Sequence, residues 1–419
     1  MSKKKWVAAI GISALLVGGV LSGCSKDSEE QMGKVDEGKQ VEVTLAGWGS
    51  SPEEAELLSQ VLKDFEEKHP NIKVKHEVIA DQYMDVVKTR LIGGEGPDVF
   101  YLDAVEAPAL IETGVVEPLN DYVKDDFDLD DFEKPLIEAF QKDGTYYGFP
   151  KGYSTLALFY NKKMFADAGV EVPTTWDELR EVSGKLTDGT NVYGFGQNPE
   201  LARTYFIAES FGGKVVEDNK ANFADSKVVE ALQPYVDQHL VEKTAAQPSD
   251  VGADWTGEMF GQGKAAMVIE GNWAIPYLDS TFPGIDYGMA EIPTINGKKG
   301  TMAFTVAYVM NAASEKKEAA WELISYLTGK EGMETWTSKG FELPSRKSVA
   351  ENLGYDKDEL RGALVAGAPY ATVWSNGTNL PIIFNNFNNQ FVSAYLGQSN
   401  LADALKEAQD TANKEIEKQ

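Results

Sequence analysis

The chain has 419 residues, with 66 Asp and Glu against 39 Lys and Arg and a formal charge of −27. So acidic a balance disfavours nucleic acid and anionic lipid surfaces as partners. A single cysteine leaves no disulfide to form within the chain, so stability must come from packing. The three scattered histidines supply no HExxH motif, and no metal site or other cofactor is expected.

In chain order, Lys3-Lys4-Lys5 precedes a short apolar run from Trp6 to Leu21, and Leu21-Ser22-Gly23-Cys24 follows. A short run with a small, polar far flank reads as a secretory signal over residues 1–23. The Leu-Ser-Gly-Cys tetrad resembles a bacterial lipobox. That resemblance implies cleavage before Cys24, palmitate and related lipid on it, and a protein held at the extracellular face of the cell membrane. Each buried methylene of such an anchor contributes about 0.8 kcal/mol. The polar, aperiodic stretch up to Gln40 makes residues 24–40 a lipidated tether.

Val41, Val43 and Leu45 alternate with polar residues as a half-buried strand does. Leu57, Leu58, Val61, Leu62 and Phe65 recur at helical spacing, and "NIKVKHEVI" (71–79) is a second strand. A helix over 83–92 and a short buried strand in "PDVFYLD" (97–103) come next. Strands alternating with helices imply a mostly parallel sheet flanked by helices, whose ligand crevice lies beyond the carboxyl ends of the strands. Further on, "TTWDELREVSGKL" (174–186) carries a capping box with Glu178, "AAMVIE" (265–270) is a strand, and "AAWELISYL" (319–327) is an amphipathic helix. The closing stretch from Leu401 is also amphipathic and helical.

The segments "DFEEKHPNIKV" (64–74), "GPDVFYLD" (96–103), "LFYNKKMFADAGVEVPTTWDEL" (158–179) and "MFGQGKAAMVIEGNW" (259–273) resemble the extracellular solute-binding proteins of sugar-importing ABC transporters. The resemblance implies an α/β fold of two lobes, each a mostly parallel sheet flanked by helices, joined by three hinge crossings. Lobe one would take 41–150 with 303–345, and lobe two 151–302 with 346–419. It also implies a monomeric receptor that closes around a mono- or oligosaccharide and hands it to ABC transporter permease subunits. Where many members have paired glycines before "AFTVAYVMN", this chain has Gly300-Thr301-Met302.

A pyranose offers C–H faces to aromatic rings and hydroxyls to carboxylates, amides and arginine. Trp48 lies between Gly47 and Gly49 in a strand-to-helix turn, where an indole is either a ligand platform or a cap on the local core. Ser51 and Glu53 follow as hydroxyl partners or helix caps. Asp103 ends a buried strand and either faces the crevice or caps the next helix. Tyr153 stands just past the first crossing. Glu270, Asn272 and Trp273 end another buried strand beside Gly271, and the family resemblance implies a sugar contact for Trp273. Trp255 and Trp374 lie in polar loops, and Arg346 just beyond the third crossing either forks onto vicinal hydroxyls or pairs with an acid. Trp176, Trp321 and Trp336 sit in helical patterns and belong to the core.

Rival readings keep the fold with a polyamine or other non-sugar solute, make the chain a surface glycoside hydrolase using Asp103 and Glu270, or make it an adhesin. The hydrolase needs two carboxylates about 5–10 Å apart. No catalytic residue is assigned, and the chain is expected not to be an enzyme.

Overall fold

The protein is described by a computed structural model over residues 40–49 and 52–418. The signal segment, Cys24, the tether up to Lys39 and Ser51 lie outside the described residues, as does the side chain of Glu53.

The opening residues form strand Val41–Trp48, which pairs in parallel with Ile72–Ile79 and Val99–Asp103. Helix Pro52–Lys68 lies between the first two, and its Leu57, Leu58, Val61, Leu62 and Phe65 are all buried, as the helical spacing requires. The first sheet runs in the order Thr372–Val373, Met302–Met310, Val99–Asp103, Val41–Trp48, Ile72–Ile79, and Gly148–Thr155 also pairs with Met302–Met310. Lys151 to Thr155 and Thr372–Val373 thus lie in this sheet. Its core gathers Leu45, Phe65, Phe100, Phe149, Tyr308 and Trp321.

The second sheet has the order Ala245–Ala246, Tyr193–Gly196, Ala265–Glu270, Ala157–Asn161, Tyr287–Ala290. Neighbouring residues in its strands enter different cores: Leu158 and Met267 join one cluster, Phe159 and Val268 another. Side chains of adjacent strand residues point to opposite faces, so both faces of this sheet are covered, and "AAMVIE" is a continuous apolar run for that reason. Thr175 caps helix Trp176–Leu186 and forms the expected capping box with Glu178. Helices Leu380–Tyr395 and Leu401–Ile416 pack on one face through Phe387, Phe391, Leu405 and Ala408.

Both sheets are mixed. Of the nine pairings that build them, five are parallel and four antiparallel. All four antiparallel pairings involve Ala157–Asn161 or Met302–Met310, the strands at which the chain enters one sheet from the other. The third core cluster bridges the sheets, because Tyr153, Ala303 and Leu343 pack with Phe159 and Val268. Along Met302–Met310 the ladder to Gly148–Thr155 is interrupted: Val306 faces Gly152 and Ala307 faces Pro150, so Lys151 is skipped. No described helix is long and apolar enough to cross a membrane.

Candidate functional site

Trp48, Asp103 and Glu270 are the last residues of their strands, at the carboxyl ends where an α/β sheet opens its crevice. Around them the side chains form two aromatic groups, one on each sheet.

The first group centres on Trp48, which is half-buried and packs edge-on against Tyr83 and Tyr101, each with its ring centroid 5.2 Å away. Both contacts are T-shaped, the arrangement that aromatic quadrupoles favour. Gly47 is needed here, since a Cβ at that position would stand 2.7 Å from the Tyr101 ring. Beyond Tyr101 lies Lys151, 1% exposed, with its ammonium 2.6 Å from a Glu342 carboxylate oxygen and 4.2 Å from the centre of the Trp336 ring. Trp336 Nε1 donates to the other oxygen of Glu342. Trp336 is buried, as its helical pattern implies, yet its polar edge belongs to this group.

The second group centres on Trp273, also half-buried, whose Nε1 donates to Glu270 at 2.9 Å. The Arg203 guanidinium donates to the same carboxylate oxygen at 3.1 Å and lies 5.3 Å from the indole centre. The Thr256 hydroxyl donates to the remaining oxygen. Phe304 packs edge-on against Trp273. A Cβ on Gly271 would collide with the indole, so the fold of this ring over the chain depends on glycine. Trp374 stands edge-on to Tyr205, and Tyr205 shares helix Leu201–Ser210 with Arg203. Asn388, from the asparagine-rich stretch, accepts from the backbone N–H of Leu201 at the start of that helix.

The groups are linked. The Asn272 backbone N–H donates to the Ser154 hydroxyl, and its side-chain amide donates to the carbonyl of Phe341, next to Glu342. Lys151 and Ser154 stand three positions apart on one strand, a rise of about 10 Å.

The structure brings Glu270 and Trp273 together with Asn272 next in the chain, sets Trp255 beside Thr256, and places Trp374 against Tyr205 and Phe384. Trp255 is half-buried, lies over Gly257, and meets Tyr277 at 4.8 Å between ring centroids. Asp103 accepts from the Val105 N–H in a local turn; the next helix, Ala107–Glu112, is preceded by Glu106, so Asp103 is not its cap. Burial pushes the Asp103 carboxyl up to about 6, and neighbouring Glu106 adds to the rise.

Two residues stand elsewhere. Tyr153 is 2% exposed and packs in the third core, with burial holding its hydroxyl far above the ordinary range. Arg346 is 1% exposed and spends its fork on the carbonyls of Phe127, Asp128 and Thr328 and on the Asp131 carboxylate, with Phe132 beneath the guanidinium. It pins the loop around Asp128. Lys151, Arg203, Tyr205 and Glu342 carry no signal in the sequence: Lys151 meets Glu342 across 191 positions and Arg203 meets Glu270 across 67.

The model for bacterial extracellular solute-binding proteins matches residues 48–334. The diacetylchitobiose binding protein DasA of Streptomyces coelicolor is 28% identical over 437 residues, covering 100% of both chains. The galactooligosaccharide-binding protein of Bacillus subtilis is 25% identical over 383 residues, 87% of each. Among solved structures, an ABC substrate-binding protein of Listeria monocytogenes in complex with cycloalternan superposes with a TM-score of 0.80 at 27% identity, covering 90% of this chain and 99% of that one. A fold of two α/β units with aromatic groups at the strand ends, and a family match over most of its length, place this chain among the bacterial extracellular solute-binding proteins.

Proposed function

We propose that the chain is the sugar receptor of an ABC importer, taking a mono- or oligosaccharide from outside the cell. The observation that carries this is the placing of Trp48 and Trp273 beside strand ends, each at a T-shaped angle to neighbouring rings and neither fully buried. Indoles held this way suit the C–H face of a pyranose, while Arg203 and Glu342 stand at hand for its hydroxyls. The names of the relatives, with their diacetylchitobiose and galactooligosaccharide ligands, support the same solute class.

In this reading the two sheets are the cores of two lobes. The first takes residues 41–155 with 302–345 and the edge strand Thr372–Val373; the second takes 156–301 and the remainder. Sugar bridging the lobes shifts an open–closed equilibrium by the difference in its affinity for the two states. Lipid on Cys24 anchors the receptor as a monomer at the extracellular face of the membrane, beside its permease.

Titration with a panel of neutral mono- and oligosaccharides, followed by tryptophan fluorescence and melting temperature, tests the reading. A saturable response to at least one sugar is expected. Silence toward every sugar, with a response to an amino acid or cation, would move the solute class. The hydrolase reading gains nothing from the geometry, since Arg203, Trp273 and Thr256 occupy both oxygens of Glu270.

A further inference from the structure

Lys151 is the residue passed over by the ladder between Gly148–Thr155 and Met302–Met310. The irregularity falls beside Pro150, which has no N–H to give to a ladder. A bulge of this kind re-aims the side chain of its extra residue. The Lys151 side chain is 1% exposed, and its ammonium lies 4.2 Å from the centre of the Trp336 ring and 5.1 Å from that of Tyr101. Glu342 closes the pocket at 2.6 Å. The Glu54 carboxyl is pushed up by burial, drawn down by the Lys151 charge and raised again by Glu342, which places it within the same field. Aromatic faces and a carboxylate around a desolvated ammonium are the means by which proteins recognise alkylammonium ligands. Here the guest is the chain's own side chain.

We propose that Lys151 is the built-in occupant of a cation-recognition pocket beside Trp48, and that by filling it the chain makes its cleft selective for uncharged solutes over polyamines. The inference rests on the sugar reading of the cleft and sharpens it. Without Lys151, the pocket would present the Glu342 oxygen that Lys151 now holds, beside the Tyr101 and Trp336 rings, the surroundings an amine seeks. With Lys151 in place, an arriving diamine meets a like charge and finds the carboxylate of Glu342 already paired. Rejection of a wrong solute by a repulsive element is a general route to specificity.

Lys151→Ala removes three methylenes and an ammonium, the outline of n-propylammonium. Melting temperature and fluorescence are measured for the wild type, K151A and the double variant K151A/E342Q, with n-propylammonium, putrescine and the uncharged control n-propanol. K151A is expected to saturate with propylammonium at a concentration on the order of tenfold below any response of the wild type. Propanol should not substitute, E342Q in the same background should abolish the effect, and putrescine should bind K151A alone. Equal responses of wild type and K151A, or competition of putrescine with sugar on the wild type, would overturn the proposal. Should K151A not fold unaided, its refolding yield is the readout: a rise with propylammonium but not propanol supports the pocket, and equal yields refute it. A wild type that binds no sugar, with the K151A response intact, removes the sugar reading and spares the pocket; sugar binding without that response removes the pocket alone.

Discussion

In the group around Trp48 the sealed partner is the cation: Lys151 is 1% exposed and its partner Glu342 is 23% exposed. Around Trp273 the order reverses, with Glu270 1% exposed and Arg203 14%. In each pair one member is surrounded on every side and the other keeps surface to spare. The enclosed member is held among other side chains, and its partner keeps the exposed surface of the pair. In the proposed sugar reading, Glu342 and Arg203, the more exposed members, are the ones a solute hydroxyl would reach, rather than Lys151 and Glu270. Glu270, singled out in the sequence as a ligand contact, has its two oxygens engaged by Arg203, Trp273 and Thr256.

The sharpest way to break that assignment is Glu270→Ala. It leaves Arg203 without its buried partner and strands the donors on Trp273 and Thr256, so a loss of about 3–5 kcal/mol is expected in urea denaturation. A stable protein that merely binds more weakly would make Glu270 a contact after all. Trp273→Ala should act on binding more than on folding. Loss of a central aromatic platform typically costs about 2 kcal/mol, roughly 30-fold in Kd by calorimetric titration. Away from both groups, Thr175→Ala removes one half of a capping box and should lower stability by about 1 kcal/mol with no change in sugar affinity. A drop in affinity there would show that the second sheet's far helices are coupled to the site.

A further effect is in pH. The Asp103 carboxyl is raised to about 6 in the folded chain, chiefly by burial, against about 3.9 for a free aspartate. Below about pH 4 it is protonated in both states and its contribution is fully present. Between about 4 and 6 the folded state holds the proton that the unfolded state releases, so stability falls as pH rises. Asp103→Asn should flatten that part of the curve of melting temperature against pH. An unchanged slope would mean that solvent reaches the carboxylate freely.

What was legible in the sequence was local. The spacing of Leu57, Leu58, Val61, Leu62 and Phe65, the Thr175 capping box and the strand 265–270 each follow from neighbours a few positions apart, and each appears as expected. Trp48, Glu270 and Trp273 were visible because a strand end beside glycine is a local pattern too. Lys151, Arg203 and Glu342 were not, since their meaning comes from partners dozens to hundreds of positions away. Arg346 misled for the converse reason. Its place near a crossing suggested a cleft, whereas the carbonyls of Phe127, Asp128 and Thr328 draw it into a loop that adjacent residues do not announce.

The skipped residue in the Gly148–Thr155 ladder also divides that strand into two phases. Phe149, before it, packs in the first core; Tyr153, after it, packs in the third; and Ser154 turns its hydroxyl to the backbone of Asn272. Were Lys151 instead drawn into the ladder opposite Val306, Gly152 to Thr155 would slip by one position and exchange faces. Ser154 would then leave Asn272, and the tie between the two indole-bearing halves would be cut although no residue of either had changed. The skipped pairing in this strand is thus as much a condition for joining the two aromatic groups as any side chain in them.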